Sequence, residues 1–421
     1  MFFIYRVLTN LVFLFSPVII LIRLFKKKEH PTRFKEKFGI YKKKKVSGKL
    51  IWFHGASVGE ILSIIPLVKK LEKKSEIKQI LVTSNTLSSS TILSNLKLKK
   101  TIHQFFPIDT DHHTNKFLNY WKPEVAIFID SEIWPNMINN IKKRSVTLIL
   151  MNARITDKSF RRWKLFRSSA KSIFLKFDLC LSSNLKSKNY LKFLGAKKIK
   201  YIGNLKFSQS EDHKNDLNKN IKNFFLTKKI WCASSTHHKE EKICAEAHKK
   251  LKIKYKNLLT IIIPRHIHRT EEIINDIKKL DLKIHTHDLK SKINSNTDIY
   301  LVNSFGQTKS FFKFCKTVFL GGSIIKHGGQ NPLEAARYGC EILHGPHVWN
   351  FDEIYTLLEK YNVCNKILNS NQLALKVDKA LNNKKNSRNL ALKIKRLGNT
   401  ILNSTLNEIN FYIKKNEIKK T

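Results

Sequence analysis

The first pattern along the chain is a run of apolar residues. Positions 2 to 25 are dominated by Phe, Ile, Leu and Val and stop at Lys26-Lys27-Lys28. As a helix at about 1.5 Å per residue, this run reaches roughly 36 Å, enough to cross a bilayer core of about 30 Å. Arg6, Asn10, Pro17 and Arg23 interrupt it, which leaves open both a tilted span and a helix lying in the interface. No small-x-small cleavage site follows; a basic stretch ending at Lys42-Lys43-Lys44-Lys45 does, so a removable leader is disfavoured. Basic residues behind the run favour a body held on the cytoplasmic side. Residues 1–28 are therefore expected to be a membrane anchor.

From Leu50 the pattern changes to short apolar runs alternating with amphipathic stretches and small-residue turns. Strands are expected at Leu50–His54, Gln79–Thr83, Val125–Ile129, Val146–Met151 and Lys200–Gly203, with helices such as Glu60–Lys74 and Phe160–Lys176 between them. A polar, charged stretch from Ser208 interrupts the alternation. A second series then follows near Ile230–Ala233, Leu258–Ile263, Asp298–Val302, Val318–Leu320 and Glu341–Leu343. Strand–helix alternation of this kind predicts an α/β fold with mostly parallel, doubly wound sheets. The expected layout is a domain at 29–207, a linker at 208–228, a second domain at 229–385 and a basic helix at 386–421 free to pack back on the first domain. Two such domains make a cleft, and ligands bind at the carboxyl ends of their strands.

Composition adds little. Lys and Arg number 79 against 32 Asp and Glu, a formal charge of +47. That excess suits polyanions, whether nucleic acid, anionic lipid or phosphorylated substrate, yet Lys in Asn- and Ile-rich surroundings equally describes solvated helix faces. The six cysteines show no C-x-x-C pair, which argues against a disulfide framework or zinc knuckle and for a reducing compartment. The paired histidines 237/238, 266/268, 285/287 and 344/347 lack H-E-x-x-H spacing and a carboxylate at a ligand interval, so no bound metal is expected.

Several strand ends carry residues suited to chemistry. His54-Gly55-Ala56-Ser57-Val58-Gly59-Glu60 follows the first strand, where small residues let a substrate near the backbone and a starting helix offers free N–H groups. Glu60 is a candidate general base, but Ser57 and Glu60 have S-x-x-E spacing, which equally makes a capping box. Ser131-Glu132-Ile133-Trp134-Pro135-Asn136 puts Pro135 in a helix's first turn and Glu132 either at the site or as an ordinary helix-start carboxylate. Asn152-Ala153-Arg154 and Gly203-Asn204-Leu205-Lys206 follow, Lys206 being a cation for a phosphate or carboxylate. In the second series come Ser234-Ser235-Thr236-His237-His238, Pro264-Arg265-His266, Phe305-Gly306-Gln307, Gly321-Gly322-Ser323 and Gly328-Gly329-Gln330-Asn331-Pro332-Leu333-Glu334. In the last, Asn331 suits the N-cap, Pro332 the first helical position and Glu334 the third, a helix start fit for a nucleotide phosphate. Glu334 suits capping or ribose hydroxyls, and Arg265 suits phosphate or cytosine.

Together, H-G-A-S-V-G-E, S-E-I-W-P-N, N-A-R-I, G-N-L-K, S-S-T-H, P-R-H, G-G-S, G-G-Q-N-P-L-E and His344-Gly345-Pro346-His347 resemble, in this order and nearly end to end, the Kdo (3-deoxy-D-manno-octulosonic acid) transferases of lipopolysaccharide assembly. The resemblance implies a GT-B fold, CMP-Kdo as donor and no cofactor. It also implies a lipid A precursor (lipid IVA) as acceptor, inversion at the anomeric centre, metal-independent transfer and work at the cytoplasmic side of the inner membrane, on its anionic surface. By the same resemblance Glu60 is the base, Glu132 and Lys206 stabilise the transition state, and Pro264, Arg265, Phe305, Gly306, Gln307, Asn331, Pro332, Leu333 and Glu334 bind CMP. One segment departs: the family's D-T-M-G-E reads Asn303-Ser304-Phe305-Gly306-Gln307 here, with both carboxylates gone. The rival readings are a UDP-sugar-dependent GT-B transferase acting on a lipid and a basic nucleic-acid-binding protein. The second lacks an RNP, zinc-finger or aromatic-interleaved basic helix pattern, so no nucleic acid partner is expected.

Overall fold

A computed structural model describes residues 2–209, 217–288, 293–304, 308–383 and 387–418. The chain divides into two compact units, Met1–Ser210 with Leu397–Thr421, and Glu211–Arg396.

The first unit is built on seven parallel strands: β1 (Lys49–His54), β2 (Ile77–Ser84), β3 (Thr101–Phe105), β4 (Val125–Ile129), β5 (Thr147–Ala153), β6 (Leu179–Ser182) and β7 (Ile199–Tyr201), in the order β3-β2-β1-β4-β5-β6-β7. The strand order reverses between β1 and β4, the place where doubly wound sheets open at their carboxyl ends. Helices cover both faces, so strands such as β4 and β5 are buried along their whole length and read as continuous apolar runs. The core is aromatic: Trp52, Phe106, Phe117, Trp121 and Phe128 are all buried in one cluster.

Two expectations needed revision here. The single helix at Phe160–Lys176 is two, Asp157–Leu165 and Arg167–Phe174, separated at Phe166 by a non-helical backbone. Two strands also lie outside the expected set: β3, whose buried positions include His103 and Gln104 and so break an apolar pattern, and β6, only four residues long.

The apolar run forms α1 (Phe2–Phe25), long and apolar enough to cross a membrane by length and composition. One side of it is pinned to its own unit. Tyr5 donates to Asp109 Oδ2 at 2.7 Å, Arg6 pairs with Asp111 at 2.6 Å, and Ser16 and Ile20 are buried. The other side leaves Phe3, Leu11, Leu14, Phe15 and Val18 exposed.

The second unit holds β8 (Lys229–Thr236), β9 (Leu258–Pro264), β10 (Ile284–Thr286), β11 (Ile299–Leu301), β12 (Thr317–Leu320), β13 (Glu341–His344) and β14 (Cys364–Lys366), again all parallel, in the order β10-β11-β9-β8-β12-β13-β14. Its strand order reverses at β8, flanked by β9 and β12. The short strands β10 and β14 lie at the two sheet edges, where three residues suffice.

The stretch 208–228, expected as linker, carries a helix at Lys219–Leu226, and the change of unit falls at Ser210/Glu211. The final helix, Ser387–Ile418, passes from one unit to the other at Arg396/Leu397. Its later part joins the first unit through Lys200–Glu408 at 2.7 Å and the Tyr412 hydroxyl on the Asp178 carbonyl at 2.9 Å. All six cysteines are buried free thiols.

Candidate active site

In the first unit the candidate residues gather at the carboxyl ends of β1 and β4. After β1 the chain turns through Gly55 and Ala56 into α2 (Val58–Leu71), with Ser57 in extended backbone as N-cap. The capping box is present. Ser57 Oγ accepts from Glu60 N at 3.3 Å and donates to Glu60 Oε1 at 2.7 Å, while Ala56 N donates to Glu60 Oε2 at 2.7 Å.

The cap does not hold Glu60 as an ordinary carboxylate, however. Burial, together with the charges of Asp130 and Glu132, outweighs the hydrogen bonds from Ser57 and Ala56 and pushes its pKa up to about 7. A carboxyl group balanced near neutrality is suited to take a proton from an alcohol.

Glu132 sits just beyond β4, and its environment decides between its two readings. The helix Pro135–Lys143 has Pro135 in its first turn, as the sequence suggested, but its free N–H groups are met by another carboxylate. Asp109 accepts from Asn136 N at 3.2 Å and Met137 N at 2.8 Å. Glu132 instead accepts from Trp134 Nε1 at 2.8 Å and faces His54 Nε2 at 3.3 Å. It is therefore not the carboxylate that caps this helix start.

Lys206 lies in the 3-10 turn Leu205–Ser208, mostly buried, with Nζ 3.6 Å from Asp130 Oδ2. Asp130 is a residue that sequence reasoning missed. It has φ +56° and accepts from the Asn152 side-chain amide; Asn152, itself at φ +53°, accepts from Leu205 N at 2.8 Å. The amide of Asn152 thus ties the end of β4 to the turn that carries Lys206. The signal available was the acidic residue directly after an apolar strand, at a position read as the strand's end.

In the second unit, Pro264 ends β9 buried and Arg265 follows it exposed, its N–H on the Thr236 carbonyl at 2.9 Å. Past β12 comes the segment Gly328–Glu334, in which Gly328 and Gly329 both have positive φ. The helix starts one residue later than expected, at Leu333, with Pro332 at the N-cap and Asn331 Oδ1 accepting from Leu333 N at 3.2 Å. It is five residues long, Leu333–Arg337, so its aligned dipoles contribute less to anion binding than a full helix would. Phe305, Gly306 and Gln307 lie outside the described residues.

The Gly321-Gly322-Ser323 turn is filled from within. Buried Glu240 accepts from His237 N at 3.0 Å, Gly322 N at 2.7 Å, Ser323 N at 3.0 Å and Ile324 N at 2.9 Å. Those amides are therefore not offered to a ligand. Between the ends of β8, β9 and β12 stands His237, whose pKa is lowered to about 4 by burial and by His327, His266, Arg265 and Arg269. Among the described residues no group of three or more His, Cys, Asp or Glu is gathered to hold a metal ion.

Comparison with known proteins decides the family. Residues 32–209 match the family described as 3-Deoxy-D-manno-octulosonic-acid transferase (kdotransferase). The chain is 36% identical over 334 residues to the 3-deoxy-D-manno-octulosonic acid transferase of Rickettsia bellii, covering 78% of each. The chain belongs to the Kdo transferases. As a member of that family it is a glycosyltransferase. A Haemophilus influenzae relative of the same name is 28% identical, over 83% of this chain and 81% of its own. In fold, the chain is similar to UDP-GlcNAc 2-epimerase from Neisseria meningitidis, with TM-score 0.56, 12% identity and coverage of 87% of this chain and 100% of that one. The Kdo transferase thus has the two-unit architecture of GT-B proteins.

Proposed function

We propose that this Kdo transferase moves Kdo from CMP-Kdo to a hydroxyl of a lipid A precursor, lipid IVA, with inversion and without a metal or other cofactor. Glu60 is the base: its carboxylate takes the proton of the acceptor hydroxyl as that oxygen attacks the ketosidic carbon. The bond to the CMP phosphate breaks, and negative charge builds on the departing phosphate. A fixed cation and oriented donors at such charge lower the barrier. Lys206 supplies that charge and Glu132 completes the acidic wall of the acceptor site. Pro264, Arg265 and the segments Phe305–Gln307 and Asn331–Glu334 bind the CMP portion.

The observation that carries this reading is Glu60 itself: a capping carboxylate whose pKa lies at about 7 beside Asp130 and Glu132, with Lys206 paired to Asp130. Base catalysis of this kind contributes typically about 10²–10⁴-fold. Attachment to the anionic inner-membrane surface, on its cytoplasmic side, is proposed through the exposed face of α1 and the lysines that follow it. A spanning orientation would carry Asp109, Asp111 and Asn136, to which α1 is bonded, into hydrocarbon, so α1 is read as lying in the interface.

The test is purified protein with CMP-Kdo and lipid IVA, with and without EDTA. The expected result is glycosylated lipid and CMP in both, and turnover reduced at least 100-fold in Glu60→Ala, with a cooperative thermal transition showing that the variant remains folded. Near-normal turnover of that variant defeats the assignment of the base. Preference for a UDP-sugar over CMP-Kdo defeats the donor.

A further inference from the structure

His54 takes no part in the chemistry described so far, yet it is wholly buried beneath the acidic wall, its ring stacked on Phe106 at 3.7 Å between centroids. Its Nδ1 lies 3.0 Å from Thr83 Oγ1 and its Nε2 lies 3.3 Å from Glu132 Oε2. Thr83 Oγ1 in turn accepts from Trp52 Nε1 at 2.8 Å and has the Phe53 carbonyl at 3.3 Å. All three partners are fully buried, so these groups have no water to turn to.

The donor count leaves two tautomers to choose between. Trp52 only donates, so Thr83 has one hydroxyl proton to place, either on the Phe53 carbonyl or on His54 Nδ1. In the first case Nδ1 carries the hydrogen and Nε2 turns a bare lone pair toward the Glu132 carboxylate, two electron-rich atoms facing each other without solvent. In the second case Nε2 carries the hydrogen and points it at Glu132. The shorter 3.0 Å contact and the avoided repulsion both select the second. Burial lowers the pKa of His54, which keeps the ring neutral and the choice between tautomers real.

We propose that His54 is a positioning residue for the transfer reaction, held by Trp52 and Thr83 as the Nε2–H tautomer so that this hydrogen orients the carboxylate of Glu132. Trp134 Nε1 donates to the same oxygen, Oε2, from another side. Trp134 is the donor already in place on this oxygen, and His54 Nε2, 3.3 Å away, is poised to become the second. Among the described residues Oε1 receives no hydrogen bond and is left for the substrate. The Nε2–Oε2 contact is off-line for a formed bond, since Nε2 has no hydrogen-bond partner as it stands; such contacts tighten when substrate fills a site.

This inference rests on the role proposed for Glu132, and the test separates the two. Turnover of CMP-Kdo with lipid IVA is measured for His54→Gln, whose amide nitrogen replaces Nε2, for His54→Asn, whose amide replaces Nδ1 only, for Thr83→Val, for Glu132→Gln, and for the His54→Asn/Glu132→Gln double variant. Melting temperatures of the full chain accompany each. Expected are a 10- to 100-fold fall in kcat for His54→Asn with KM for CMP-Kdo within twofold of wild type, and recovery of most of that loss by His54→Gln. Thr83→Val should fall about 10-fold, and the double variant should be no slower than Glu132→Gln alone. Equal losses in His54→Asn and His54→Gln, or losses that multiply in the double variant, overturn the positioning role. If Glu132→Gln costs nothing, the reading of Glu132 fails and this inference with it; if Glu132→Gln is slow and His54→Asn is not, only this inference fails. A variant with a lowered melting temperature is judged by the double-variant comparison, which cancels a purely structural loss.

Discussion

The position of Glu60 between opposing influences makes its titration a direct probe of the site. With a pKa of about 7, roughly 10% of the enzyme carries the base form at pH 6 and about 90% at pH 8. The rate kcat/KM should therefore rise about tenfold between those values, since it follows the ionisation of the free enzyme's base. Acceptor phosphates ionise in the same window, but they do so for every variant alike, so the quantity to read is the displacement of the midpoint. Ser57→Ala removes a hydrogen bond to the charged form and should move the midpoint upward, while Asp130→Asn removes a neighbouring negative charge and should move it downward.

The same shift appears in stability with the opposite sign. The folded pKa is raised, so the contribution of Glu60 is fully present below its unfolded value of 4.5 and is lost as pH rises through about 7. At about 1.36 kcal/mol per unit the ceiling on that loss is ~3 kcal/mol, and solvent contact trims it. Glu60→Gln should thus gain stability relative to wild type between pH 5 and pH 8, measured by denaturant unfolding at each pH. A wild-type kinetic midpoint near 4.5, or midpoints in Ser57→Ala and Asp130→Asn that move the same way, would refute the account of Glu60.

Two further tests address the fold and the membrane. A Cβ at Gly321 would lie 2.5 Å from Thr236 Cα and 2.7 Å from Glu240 Oε2, so Gly321→Ala should lower the melting temperature by several degrees, about 2 kcal/mol or more, by driving Glu240 from its four amides. An unchanged thermal scan would show that the turn relaxes freely. Leu11→Lys with Phe15→Lys on the exposed side of α1 should reduce co-sedimentation with anionic vesicles at least tenfold, because each large apolar side chain contributes about 1.5–3 kcal/mol when buried in lipid. Undiminished sedimentation would move membrane attachment elsewhere.

The sequence made most of the scaffold legible because parallel sheets covered on both faces give uninterrupted apolar strands, as β4, β5 and β9 do. It failed at β6, β10 and β14, which are only three or four residues long, and where burial was achieved with polar side chains. Strand β3 buries His103 and Gln104, and Arg33 and Ser84 bond to the former, so no apolar run announced it. Asp130 was passed over for a related reason: its place in the site comes from a left-handed backbone and from Asn152, twenty-two positions away, neither of which local spacing encodes. Glu240 likewise looks like any acidic residue in a helix's first turn, and only the fold brings the Gly322–Ile324 amides onto it.

Ser57 and Glu60 had two readings that spacing could not separate; the structure shows the cap, and the cap is compatible with the role proposed for Glu60. A capping carboxylate that accepts one N–H and one O–H still has a lone pair on each oxygen. On an exposed helix those bonds would hold the pKa low and the group would be inert as a base. Here burial withholds water, Asp130 and Glu132 add negative charge, and the pKa rises to about 7 in spite of the cap. On the proposed mechanism the cap also serves the chemistry, since it fixes Glu60 at the third position of α2 with its carboxylate oriented by the chain's own N–H. Removing Ser57 while leaving Glu60 in place should therefore cost turnover as well as about 1 kcal/mol of stability, whereas a cap with no catalytic part would cost stability alone.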